Sequence, residues 1–295
     1  MTKRMKKRLL LIAILFPAHL SGELAASQQE EPQIITAAEI KAMQAMKISD
    51  ILNRLPGIKA SETSVSIRGS SNVKVLLDGR SLNDPSAHSG SVKWSMISLE
   101  QIEKIVVYKG RGSVSFGDNT EGGAIVITTR STGGGKLDGS VGGFYGSNGQ
   151  RNATLDLRGS LNRFSAGLSV GTEGYDGFVD NSDKEKLRVA TRFDYRLSPS
   201  VTMFLSGDYS DEEKGMRGYP ERRTPNARME YDHVSLLFGI NGKWLESRAW
   251  YQNFTTKNSD TDKDFFSSVE VTTFGQSVNL QLDLPIAGTV QAGTG

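Results

Sequence analysis

The sequence predicts two regions of different grammar: a small α+β domain, then a long run of antiparallel β-strands fitting either an outer-membrane barrel or a soluble sandwich. Three observations carry this. Helix and strand signals alternate from Pro32 to Arg130. Beyond a Ser-Thr-Gly-Gly-Gly stretch at 131–135, period-two alternation is the only pattern. Short turns and long polar segments also alternate there, and one parity of the strands is charged, both of which favour the barrel.

The first segment reads as an address. Met1–Arg8 is basic, 9–16 (LLLIAILF) is apolar, and small residues ending at Ala26 follow; this order is that of a secretory signal peptide. Eight apolar residues fall well short of the roughly 20 that a spanning helix needs. The division expected is 1–26 signal peptide, 27–131 α+β domain and 132–295 strand region.

Charge and composition exclude several classes. The chain has 35 Lys+Arg and 33 Asp+Glu; removing the five bases and one acid of residues 1–26 leaves 30 and 32, about −2. No basic stripe for nucleic acid survives. The absence of cysteine rules out disulfides and thiolate metal sites, and His19, His88 and His233 are far apart in sequence. No cofactor, resident metal or catalytic group is expected. Gly-rich stretches at 110–123 lack phosphate-loop spacing. Asp260-x-Asp262-x-Asp264 opens like a calcium loop but has Phe265 where a glycine is needed.

In the α+β region, Thr36 with Glu39 predicts a capping box and a helix over 37–46. A second short helix starts at Ser49-Asp50 and is stopped by Pro56-Gly57. Strands are predicted at 65–68, 73–77, 102–108 and 124–129, and residues 31–36 as the leading strand. Asp78-Gly79 is a hairpin turn. Gly69, Gly79, Gly110, Gly117, Gly122 and Gly123 end strand runs, where positive φ or close backbone approach is needed. Arg68, ending an apolar strand, is expected to be a buried structural cation paired with Glu100 or Glu103. In the second region Leu187, Val189, Phe193, Tyr195 and Leu197 share one parity, with Arg188, Arg192, Asp194 and Arg196 on the other. Segments 171–185 and 210–232 read as long polar loops; the latter holds Tyr219, Arg217, Arg222 and Arg223.

Four stretches then resemble the plug domain of TonB-dependent outer-membrane receptors: IITAAEI (34–40), ISDILNRLPGI (48–58), VSIRGSSNVKVLLDGRSLN (65–83) and ISLEQIEKIVVYKGRGSVSFGDNTEGGAIVITTR (97–130). Residues 139–159 resemble the family's first barrel strands. The sequence departs from the family's pattern at Lys109-Gly110-Arg111, usually Arg-Gly-Pro, and at Val126, usually Asn. The LDGRSLN stretch looks most like the cobalamin and catecholate-siderophore receptors.

The resemblance implies an α+β plug seated in an antiparallel transmembrane β-barrel of 22 strands. The 165 residues from 131 would supply about 8 of those strands at about 10 residues each plus loops. An incomplete barrel, from a truncated product or a piece of a longer receptor, is therefore expected. The resemblance further implies import of a ferric siderophore, or of cobalamin as the alternative, across the outer membrane. TonB and its inner-membrane accessory proteins would supply the energy; by the resemblance, residues 31–36, read above as the leading strand, are alternatively a degenerate TonB box. A receptor acting only in binding or signalling, or a non-transporting fragment, is the reading from another class. Ligand contact is expected on the plug loops 58–64 and 83–94, in the latter from Asn83, Asp84, Ser86, His88, Ser89 and Trp94, although Trp94 could instead anchor the plug against the wall.

Overall fold

The computed structural model describes residues 31–87, 91–110, 116–132, 135, 137–284 and 288–294. The proposed signal peptide, with His19, lies outside them, as do His88, Ser89 and Arg111.

The α+β domain is built on a five-stranded sheet. Its strands are β1 (Gln33–Thr36), β4 (Val73–Leu77), β5 (Arg80–Ser81), β6 (Ile102–Lys109) and β7 (Gly123–Thr129), in the order β1-β6-β7-β4-β5. Strand β4 runs parallel to β7, and the other neighbours are antiparallel. A separate hairpin pairs β2 (Ile58–Ala60) with β3 (Val65–Ile67). The capping box forms as expected: Thr36 N–H donates to Glu39 Oε2 at 2.7 Å and Glu39 N–H to Thr36 Oγ1 at 3.4 Å. Helix α1 (Ala37–Ala42) is shorter than 37–46, since Gln44 takes φ 48° and breaks the turn. Helix α2 (Ile48–Leu52) starts one residue early, with the Asp50 carboxylate accepting from Lys47 N–H at 3.0 Å. One core joins these elements through Ile35, Ile51, Leu52, Ile67, Val75, Ile105 and Ile125.

The Asp78-Gly79 turn closes β4 onto β5 with φ of 49° and 92°, the left-handed pair such a tight turn needs. Gly123 combines φ 135° with a backbone approach that would place a Cβ 2.1 Å from the Tyr108 carbonyl oxygen. Gly122 lacks positive φ; a Cβ there would meet Ser70 at 3.0 Å. Gly69, Gly110 and Gly117 all have positive φ.

The second region is a single antiparallel sheet whose nine described strands follow chain order, one more than the length suggested. They are β8 (Asp138–Tyr145), β9 (Arg151–Leu161), β10 (Phe164–Tyr175), β11 (Lys184–Ser198), β12 (Val201–Gly215), β15 (Ala227–Gly242), β16 (Leu245–Asp260), β17 (Phe265–Leu284) and β18 (Gly288–Thr294). A small hairpin, β13 (Gly218–Tyr219) with β14 (Arg222–Arg223), lies between β12 and β15. One parity is apolar and exposed, as at Phe193, Tyr195, Leu205 and Leu236, while Asp194, Ser206, Ser235 and Gln252 of the other are buried. The buried parity faces the α+β domain, and that contact decides against a free sandwich.

Two expectations need correcting. About half of 171–185 and of 210–232 belongs to the long strands: only 176–183 and 216–226 separate them. The outer ends of these strands are polar on both faces, so alternation of hydropathy, the signal that betrays a strand, is absent there. The start of the Gly-rich link is also held, because Thr132 is buried and its N–H and hydroxyl both donate to Asp194.

Candidate functional site

The plug meets the wall through β5 and the segment after it. Asn83 extends the β4 ladder: its Oδ1 accepts from Val75 N–H and its Nδ2 donates to the Val73 carbonyl, both at 2.9 Å. Asp84 pairs with Lys93 at 2.9 Å across the loop, and accepts from the N–H and hydroxyl of Ser86. Burial pushes the Asp84 carboxyl upward, but the hydrogen bonds from Ser86 and Lys93 outweigh it and hold the carboxyl below its usual value. Burial lowers Lys93, against the pull of Asp84. Lys93 Nζ also sits 3.5 Å from the centroid of the Tyr231 ring on β15, with Lys214 Nζ at 5.2 Å from the same ring. A cation so placed is attracted by the ring's negative face.

Beside this contact a cleft of about 350 Å³ opens between plug and wall. The plug contributes Lys47, Glu62, Lys93 and Trp94; the wall contributes Glu173, Lys184, Lys186, Arg188, Glu212, Lys214 and Tyr231. Six of the lining side chains are basic and four acidic, with Glu100 the fourth acid. Internal pairs neutralise part of this, including Lys47–Glu62 at 2.5 Å and Lys184–Glu173 at 3.4 Å. By count the lining holds two more bases than acids, with Lys93 also paired to Asp84 outside the lining; set beside an aromatic ring, this is an arrangement able to hold a bulky anion.

Of the residues expected at the site, Trp94 lines the cleft and belongs to the plug core. Asn83, Asp84 and Ser86 spend hydrogen bonds on the loop's own shape. Lys93 falls within the expected loop 83–94 without having been singled out; Tyr231 and Lys214, in the segment 210–232 read as a polar loop, were not expected.

Arg68 requires a correction: it is exposed, with φ 51°. The left-handed backbone at the end of β3 turns its side chain out of the core. Among the described residues, the most buried cation of the plug is Arg80, 1% exposed. Its Nη2 lies 2.5 Å from Asp208 and its Nη1 donates to Ser235 Oγ. Asp78 accepts from Thr129 N–H at 2.9 Å and from its hydroxyl at 2.6 Å, and faces Arg192 at 3.8 Å. The Phe204 ring centroid lies 4.1 Å from the Arg192 guanidinium and 5.0 Å from that of Arg248.

A globular domain seated by its polar edge on the inward face of an apolar-outside sheet defines a class, the plugged outer-membrane barrels. Residues 26–124 match the family model described as TonB-dependent Receptor Plug Domain. The chain is similar to the vitamin B12 transporter BtuB of Photobacterium profundum, 27% identical, covering 88% of this chain and 48% of that protein. Among solved structures, the siderophore receptor PirA of Pseudomonas aeruginosa superposes with TM-score 0.71 at 19% identity, covering 90% of this chain and 47% of that one. A ferric enterobactin receptor (PfeA) mutant from the same organism gives 0.68 at 17%, covering 90% and 48%. The copper transporter OprC gives 0.67 at 15%, covering 85% and 43%. The chain thus spans about half the length of the relatives it matches. Residues 26–124 belong to the TonB-dependent receptor plug family, and the fold is that of such a plug followed by part of a receptor barrel.

Proposed function

We propose that this receptor binds a ferric siderophore at the outer face and imports it, energised by TonB and its inner-membrane accessory proteins, after residues 1–26 are removed as a signal peptide. It makes and breaks no covalent bond; specificity is binding. The observation that carries the reading is the cleft's positive surplus around the Tyr231 ring. An anionic iron chelate gains there from field focusing in a low-dielectric crevice and from the aromatic face. Lys93, Lys214, Tyr231 and Trp94 would touch the ligand, with the loop from Asn83 through Asp84, Ser86, His88 and Ser89 forming the rim.

Cobalamin is the second reading, favoured by the likeness to a vitamin B12 transporter. Competition decides between them: cells bearing the full receptor are offered a ferric tris-catecholate and cyanocobalamin. A catecholate ligand predicts iron uptake unaffected by excess cyanocobalamin, and a loss of affinity of roughly tenfold, about 1.4 kcal/mol, in Lys214→Glu. Cyanocobalamin uptake that is insensitive to Lys214→Glu would reverse the assignment. Binding of the chelate without TonB-dependent accumulation would make the protein a binding or signalling receptor.

A further inference from the structure

The β4–β5 turn makes an unusual set of contacts. Within four consecutive residues, Asp78 faces Arg192 on β11 at 3.8 Å, and Arg80 holds Asp208 on β12 at 2.5 Å and Ser235 on β15. The Ser81 carbonyl accepts from Gln252 on β16 at 3.3 Å. These four strands are neighbours in the wall. Asp208 and Ser235 are register partners, so the Arg80 fork reads a single rung of the barrel. A planar guanidinium suits such two-point recognition, and an arginine this buried is stable only while its partners are in place.

The turn also lies at a defined place in the plug sheet. Strand β5 is one edge and β1 is the other, and β1 pairs with β6 through only four residues. Chain entering the plug from its N-terminal side joins the sheet at β1, so the stapled edge is the one farthest from it.

We propose that residues 78–81 form a retention clamp. They register the plug against β11, β12, β15 and β16, and they stay on the wall while the rest of the plug is displaced during import. Arg80 acts as a positioning residue and touches no ligand. The second half of the proposal rests on the import reading above.

Two measurements on the full receptor in cells test it. The first needs no import: Arg80→Ala and Asp208→Ala should each admit a large antibiotic normally excluded by the outer membrane, such as erythromycin, with sensitivity raised on the order of tenfold because either leaves a buried charge or its partner unmatched. The double replacement Arg80→Met/Asp208→Leu, which removes both charges, should be less leaky than either single variant. Unchanged sensitivity in both single variants, at normal receptor levels in the membrane, would overturn the clamp. The second uses Ser81→Cys/Gln252→Cys, convenient because residues 1–295 contain no cysteine. The oxidised receptor should import at a rate within about twofold of the reduced one, as expected when the crosslink spans groups that do not separate. Loss of import on oxidation, restored by reductant, would show that this edge leaves the wall. Failure of the reduced receptor to import either the ferric tris-catecholate or cyanocobalamin would count against the import reading instead, leaving the antibiotic arm to decide the clamp.

Discussion

Plug and wall put opposite faces of the same chemistry inward. The plug buries Ile51, Ile67, Val75 and Ile125 at its centre and keeps charge out of that core; its largely buried charges, Asp78, Arg80, Asp84 and Lys93, lie along the edge that meets the wall. The wall turns Phe193, Leu205 and Leu236 outward and buries Asp194, Ser235 and Gln252. The hydrophobic effect is the same in both; the solvent differs, since lipid rather than water meets the outer side of the sheet. The interface between them is consequently polar, and its specificity comes from paired charges and hydrogen bonds more than from apolar area.

The sharpest break in this contrast lies in the plug. Gly123→Val should cost about 3 kcal/mol or more, since φ 135° is strained for valine and its Cβ would collide with the Tyr108 carbonyl. The outcome to measure is loss of protease resistance of the plug within the full receptor while the barrel still inserts. On the wall, Leu236 is outward and opposite Gly207. Leu236→Arg should cost about 2–4 kcal/mol if it lies near the bilayer midplane, read from urea titration of folding into vesicles. A neutral result would mean that this parity does not face lipid.

At the interface, Asp84→Asn leaves Lys93 without its ion-pair partner, both side chains being about one-tenth exposed. The expected cost is about 1–3 kcal/mol, the penalty for a buried polar group left unsatisfied. The pH dependence has a definite sign: the folded Asp84 carboxyl lies below its usual value. Its contribution is therefore complete above the unfolded value and is lost as pH falls through the folded one. The wild type should lose plug protection on acidification, and Asp84→Asn should lose less over the same window.

How much of this was legible depends on whether a signal was local. The capping box, the 73–77 strand and the Asp78-Gly79 turn are set by residues a few positions apart, and all were readable. The alternation around Phe193 reported which face meets lipid. Arg68 and Arg80 show the limit. Both follow apolar strands, and their burial is decided by backbone handedness at one and by Asp208, 128 residues away in sequence, at the other. Lys93, Lys214 and Tyr231 meet from three separate segments, so no spacing rule could have assembled the cleft. The motif resemblance located the plug but said nothing of which wall residues face it.

The smallest expected effect tests the local end of that scale. Glu39 is fully exposed, and its carboxyl is held below the usual value by the Thr36 N–H and then by the Thr36 hydroxyl. A depressed carboxyl stabilises the folded state above its unfolded value, about 4.3, and ceases to do so as pH falls through the folded value. Glu39→Gln can still accept from Thr36 but cannot titrate. Its stability near neutral pH should sit slightly below wild type, and the gap should close on acidification as the wild-type carboxyl takes up its proton. Hydrogen exchange at the amides of the first turn of α1 would report this without disturbance from the wall. A gap that persisted at low pH would mean that the cap depends on the shape of the side chain and not on its charge.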